Sequence, residues 1–157
     1  MTDLEYMMEA YKEALKAYEL NEVPVGCIIV FNGEILSRAH NLRQSQKCAI
    51  YHAEILAIEE ACKKLDRWIL SDCVMYVTLE PCLMCSGAII QSRIKKVIYG
   101  IEEDRFGCFE NALTYFENKQ NHKVIVEKGI MEKEIRDLLS NFFKDLRNSK
   151  KHGGSNV

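Results

Sequence analysis

Apolar residues recur at Leu4, Met7, Met8, Tyr11, Ala14, Leu15 and Tyr18, the stripe spacing of a helix that buries one face. Ahead of it, Thr2-Asp3-Leu4-Glu5 has the capping-box pattern: Thr2 accepts from the first turn while Glu5 reaches back to the cap. Pro24 follows the end of that helix, and the period then changes. Val25 to Phe31 is β-branched and apolar, Asn32-Gly33 is a hairpin turn signal, and Glu34 to His40 returns. Polar Asn41 to Lys47 reads as a loop. A helix is predicted from His52 to about Lys64, with Ile55, Leu56, Ile58 and Ala61 facing inward. Val74 to Leu79 is a third strand, and Pro81 separates it from a buried helix over Cys82 to Gln91. Lys96 to Ile101 makes a fourth strand and Val124 to Glu127 a short fifth. The last helix carries Met131, Ile135, Leu138, Leu139, Phe142, Phe143 and Leu146 on one stripe.

Strands alternating with helices after an opening hairpin predict a three-layer α/β/α domain on one mixed sheet of about five strands. The length, 157 residues, fits one domain, and no repeat or linker divides it. That domain is expected over 1–148. Residues 149–157, with Gly153-Gly154-Ser155-Asn156, have nothing to bury and are expected to form a flexible tail. No apolar run approaches the roughly 18 residues a membrane span needs. The acidic start Met1-Thr2-Asp3-Leu4-Glu5 is unlike a secretory signal, so a cytoplasmic protein is expected.

Seven cysteines, an odd number at mostly irregular spacing, do not read as a disulfide framework. Cys27, Cys62 and Cys73 fall in apolar segments and read as small core residues. A net charge of −2 gives no global pull toward nucleic acid, so any such binding would need a local basic patch.

Two segments carry chemistry: Tyr51-His52-Ala53-Glu54 and Leu79-Glu80-Pro81-Cys82-Leu83-Met84-Cys85. Each opens a predicted helix. Cys82 and Cys85 are spaced to put both sulfurs on one face of a first turn, where the helix dipole favours thiolates. His52 and Glu54 would diverge in mid-helix, but at a helix start both can lean toward a point beyond its end. If the two starts face each other, one imidazole and two thiolates form a tetrahedral zinc site with a position left for water. Taken alone, Cys-x-x-Cys after a strand also suits a redox site or half of a structural zinc knuckle, and His-x-Glu alone says little. Together, His-x-Glu followed by Pro-Cys-x-x-Cys is the signature of zinc deaminases that act on nucleobases. In that chemistry His52, Cys82 and Cys85 hold one Zn²⁺ per subunit, and Glu54 is the unligated general acid and base.

The chain resembles the bacterial tRNA-specific adenosine deaminases of the cytidine/deoxycytidylate deaminase superfamily. The resemblance rests on Glu22-Val23-Pro24-Val25-Gly26, His40-Asn41, His52-Ala53-Glu54-Ile55 and Val77 through Cys85. Gly87-Ala88-Ile89-Ile90, Ser92-Arg93-Ile94, Asn121-His122 and Phe142-Phe143 extend it to about Arg147. It implies a cytidine-deaminase-like fold and a homodimer whose partner helps form the tRNA surface. The implied reaction is hydrolytic deamination of the wobble adenosine of a tRNA anticodon loop to inosine. It further implies that Asn41 hydrogen-bonds the flipped base, that Val23 and Pro24 line the pocket, and that the Cys82 N–H faces the new hydroxyl. From the residues alone, Asn41 reads equally as a turn residue, and Val23-Pro24 as a helix-to-strand connection.

Two stretches depart from the family pattern. Cys48-Ala49-Ile50-Tyr51 stands where relatives carry an Asp/Asn-Pro-Thr-type segment. Gly100 through Glu110 lacks the usual Gly-Ser, with Glu103 at the usual aspartate position. Both bear on substrate choice rather than on zinc. Candidate RNA contacts are Arg43, Lys47, Glu103, Arg105, Phe142, Phe143 and Arg147, with Lys144, Lys150 and Lys151 extending the terminal basic cluster. The rival enzymatic reading is a free-base or nucleoside deaminase acting on guanine or cytosine. A redox or structural zinc protein is the non-catalytic one.

Overall fold

Helix α1 (Asp3–Glu19) begins at the expected capping box: Glu5 N–H donates to Thr2 Oγ1 at 3.2 Å, and Thr2 N–H donates to Glu5 Oε2 at 3.4 Å. The hairpin follows as β1 (Gly26–Phe31) and β2 (Glu34–His40). Asn32 and Gly33 take φ of 51° and 76°, the left-handed backbone a tight two-residue hairpin turn requires. Then come α2 (Ala53–Leu65), β3 (Cys73–Leu79), α3 (Leu83–Ser92), β4 (Lys96–Ile101), α4 (Phe109–Glu117), β5 (Ile125–Lys128) and α5 (Glu132–Gly153). The computed structural model describes residues 1–153 apart from Phe106, Asn118 and Gln120, and only the backbone of residues 151–153.

The sheet order is β2-β1-β3-β4-β5. β1 is antiparallel to both β2 and β3, while β3, β4 and β5 are mutually parallel. Alternation along the strands sends successive residues to opposite faces. Cys27, Ile29, Met75, Val77, Val97 and Tyr99 meet Ala53, Ala57 and Ala61 of α2, Ile89 of α3 and Phe109 of α4. Ile28, Val30, Tyr76 and Ile98 meet Tyr6, Met7 and Ala10 of α1 and Ile135 and Leu139 of α5. The domain is therefore the expected α/β/α sandwich. Each fully buried Ile or Met in it contributes about 1.5–3 kcal/mol.

Helix α4 is an element not expected above. Its signal is present, since Phe109, Ala112, Leu113 and Phe116 have helical spacing, and Phe109 and Ala112 are buried. At the other end, α5 continues to Gly153, so the backbone of 149–153 is helical where a flexible tail was expected. No proline or early glycine stops that helix before Gly153. Residues 154–157 lie outside the described residues.

Candidate active site

Strand direction brings the site together. β2 and β3 both run against β1, so they are parallel to each other and end on the same edge of the sheet. There the chain leaves β2 for the loop that leads to α2, and leaves β3 for Pro81 and α3. The start of β1 reaches the same edge, with Gly26 paired to His40, and so does the end of β4, with Leu79 paired to Ile101. Two helix N-termini and the loops beside them therefore face one space, the usual place for ligands in open α/β sheets.

His52 and Cys82 are the N-caps of α2 and α3, and neither side chain makes the capping hydrogen bond a Ser or Asp would make there. Instead they point at each other. His52 Nδ1 lies 3.5 Å from Cys82 Sγ and 3.5 Å from Cys85 Sγ, and all three ligand atoms lie within 4.8 Å of one another. A tetrahedral zinc with Zn–N near 2.0–2.1 Å and Zn–S near 2.3 Å sets N and S about 3.6 Å apart, so the three donors fit that ion. The Cys85 thiol, and then His52, hydrogen-bond the Cys82 sulfur and hold its pKa down to about 4. Cys82 is thus a ready thiolate, and hydrogen bonding to it raises the pKa of His52 above 6.5. The hydrogen bond that the Cys85 thiol donates to the Cys82 sulfur, and then its burial, push the Cys85 pKa up. Among the described residues no other group of His, Cys, Asp or Glu converges in this way.

Glu54, in the first turn of α2, is 3% exposed and stands beside this cluster without joining the three converging ligands. Burial pushes its carboxyl up to about 7. A carboxyl near neutrality can both take and return a proton, which suits general acid–base work.

Two of the donors, His52 and Cys82, open into a cavity of about 800 Å³. Val23, Asn41, His52, Glu54 and Cys82 line it, as do Arg43, Lys47, Glu103 and Phe143. Asn41 is 6% exposed, and its Oδ1 accepts from Ala53 N–H at 2.8 Å. It therefore satisfies an orphan donor at the start of α2, and this fixes its amide with Nδ2 left unpartnered among the described residues. That is more than a turn residue does.

Pro24 is buried beside Val23 in the connection before β1 but is not among the residues that line the cavity. Arg105 and Arg147 are exposed and also lie off its walls. Of the Phe142-Phe143 pair, Phe142 is 7% exposed and packs edge-on to Tyr18 with centroids 5.8 Å apart, whereas Phe143 is 42% exposed. Phe142 thus anchors α5 against α1, and the Tyr18 hydroxyl donates to Asp145 beside it. Lys144 and Lys150 are exposed, and the side chain of Lys151 lies outside the described residues. His122 Nε2 binds the Ile94 carbonyl at 2.8 Å, away from the cavity.

Two buried carboxylates given no role above hold the loops around the cavity. Glu22 Oε1 accepts from Gln44 N–H at 3.1 Å, and its Oε2 accepts from Ser45 N–H at 2.6 Å and Ser45 Oγ–H at 2.7 Å. Glu80 accepts from Glu103 N–H at 3.0 Å and Phe109 N–H at 3.1 Å, bracing the departing 101–110 stretch. Only glycine fits at 107, because a Cβ there would come within 2.2 Å of Glu103 O and 2.5 Å of Glu80 Oε1. No spacing rule links partners 22 or more residues apart, so neither clamp shows in the pattern of the chain.

A mixed α/β/α sheet with one imidazole and two thiols meeting at paired helix starts, and a buried carboxyl alongside, defines a deaminase with the cytidine-deaminase-like fold. The sequence model of the MafB19-like deaminases matches residues 1–147. The tRNA-specific adenosine deaminase of Bacillus subtilis (strain 168) is 46% identical over 153 residues, 97% of this chain and 95% of that protein. Its counterpart in Aquifex aeolicus is 46% identical over 92% of this chain and 97% of that one. A solved structure from "Biochemical and Structural Studies of A-to-I Editing by tRNA:A34 Deaminases at the Wobble Position of Transfer RNA" superposes with a TM-score of 0.80 at 34% identity. That match covers 86% of this chain and 99% of the other. The chain belongs to the tRNA-specific adenosine deaminase family. Among the described residues, no helix is long and apolar enough to cross a membrane.

Proposed function

We propose that this protein deaminates the wobble adenosine of a tRNA anticodon loop to inosine, releasing ammonia, with one zinc ion held by His52, Cys82 and Cys85. The observation that carries the reading is the continuity of the cavity from Glu54, His52 and Cys82 to Arg43, Lys47 and Phe143, a reach suited to a polymer rather than to one base. A zinc ion held by the triad would make a water molecule there more acidic at neutral pH. Glu54 takes a proton from that water and delivers it to a ring nitrogen of the base. Once the oxygen has added to the carbon bearing the amino group, Glu54 takes the remaining hydroxyl proton and delivers it to the departing nitrogen, so water is consumed and ammonia leaves. Asn41 Nδ2 donates to an acceptor on the extruded base, while Val23 and its buried neighbour Pro24 keep water from that side. Anticodon bases are partly unstacked, which lowers the cost of extrusion.

Arg43 and Lys47 contact phosphates near the cavity. Glu103, Arg105, Phe143 and Arg147 extend the surface, Phe142 supports it through α5, and a second copy of the chain completes it in a homodimer. The protein acts in the cytoplasm, where its substrate is. The test is incubation of the zinc-loaded protein with an anticodon stem-loop bearing a wobble adenosine, with guanine, cytosine and cytidine in parallel. Mass spectrometry should find inosine in the stem-loop and none of the small molecules converted. Binding should weaken steeply with salt as phosphate contacts release counterions. Conversion of the free bases alone would replace this reading with the free-base deaminase.

A further inference from the structure

We infer that Glu22 is a positioning residue that sets substrate affinity by holding the wall of the cavity formed by residues 43–48. The inference rests on the tRNA reading above, because it concerns how a polymer is gripped rather than how a base is deaminated.

Glu22 lies in the connection between α1 and β1 and is 2% exposed. A buried carboxylate is costly unless its lone pairs are satisfied, and charge-assisted hydrogen bonds are the strong kind. No Lys, Arg or His pairs with it among the described residues. Its two oxygens accept instead from the backbone of Gln44 and the backbone and hydroxyl of Ser45. Both oxygens are therefore engaged by the loop, and Glu22, though it also borders the cavity, is placed to act on a ligand through that loop.

What the clamp holds is specific. Arg43, Gln44, Lys47 and Cys48 line the cavity, and Lys47 takes the left-handed φ of 51°. The segment has further backbone bonds of its own, from Gln46 N–H to Leu42 O and from Cys48 N–H to Arg43 O. These close the loop on itself. The Glu22 bonds fix where the closed loop sits. Asn41 is secured separately, by its N–H on Val25 O at 3.3 Å and its Oδ1 on Ala53 N–H. Losing Glu22 should thus free the cationic wall while leaving the base-facing amide and the donor triad in place. The signature is a raised KM with kcat retained.

The test uses the zinc-loaded wild type, Glu22→Gln and Glu22→Ala. Each is assayed for steady-state inosine formation in the stem-loop, amide hydrogen exchange at Gln44 and Ser45, and thermal midpoint. Glu22→Gln has the same shape but turns one acceptor into a donor facing an N–H, so it tests the clamp even where the alanine variant fails to fold. The expected result is faster exchange at Gln44 and Ser45 and a KM raised about tenfold, the cost of re-ordering one or two side chains on binding. kcat should stay within about twofold of the wild type, and the alanine variant, if folded, should exceed glutamine in both effects.

An unchanged KM in Glu22→Gln, with or without faster exchange, overturns the inference. So does a fall in kcat that tracks the thermal midpoint at constant KM, which is what a merely structural residue gives. Failure of the underlying reading looks different: the wild type itself then forms no inosine, and the inference falls with it.

Discussion

A carboxyl suits Glu54 to the proposed acid–base role only because of where it stands, in the first turn of α2. Placed at the helix start, it is 3% exposed beside two sulfurs, and burial pushes its carboxyl up to about 7. Glu54→Ala removes no metal donor. It should keep one zinc per chain by elemental analysis and lower kcat about 10²- to 10⁴-fold, the usual loss with a general acid–base group. Turnover near wild type would take Glu54 out of the mechanism. The four residues His52, Glu54, Cys82 and Cys85 were legible in the chain because helix starts have a fixed geometry over short spacings. Asn41 was legible as a candidate, but its bond to Ala53 N–H was not, since that pairing depends on how the loop after β2 returns to α2. Glu22 and Glu80 could be quoted in the pattern without any sign of what they hold.

At the scale of elements, caps and turns announced themselves locally. Thr2 with Glu5, and Asn32 with Gly33, formed what their sequence specifies because every partner lies within one turn. Gly26 shows the opposite case. It looks like an ordinary small residue at a strand start, yet a Cβ there would sit 1.9 Å from Ala10 O and 2.5 Å from Ala14 N. α1 therefore crosses β1 in direct backbone contact. Gly26→Ala must push α1 off the sheet, and it should lower stability by about 1–3 kcal/mol or more, read as a lower denaturation midpoint in urea. Helix α4 does not stand out in the chain although its apolar spacing is helical, because at 9 residues its stripe is short. What fastens it is Phe109, whose side chain meets Tyr99 edge-on at 6.2 Å and whose N–H reaches Glu80.

For the whole molecule, α1 is tied to β2 by ion pairs as well as by packing. Glu13 Oε1 accepts from His40 Nδ1 at 2.9 Å and its Oε2 from Lys16, while Glu9 binds Arg38 at 2.6 Å. Burial pushes the Glu13 carboxyl up, but hydrogen bonds from His40 and Lys16 outweigh it and hold the pKa below 4.5. A depressed folded-state pKa means the stabilisation is complete above pH 4.5 and is lost as pH falls through the lowered value. Glu13→Gln should therefore lower the thermal midpoint at pH 7 and shrink its drop between pH 7 and pH 4. An equal drop in mutant and wild type would show that Glu13 does not contribute to the acid limb.

The chain by itself determined every helix and strand but α4, the sandwich class, and the candidates for the three donors and the proton carrier, because each depends on periodicity, caps or spacings of a few residues. Only the tertiary structure decided that β2 and β3 end on one edge, and hence that the start of α2 faces the start of α3. It also decided which buried carboxylates brace the loops and which phenylalanine of the pair is exposed. Those outcomes depend on strand order and on contacts between distant segments, and packing chooses among these only when all the elements are in place.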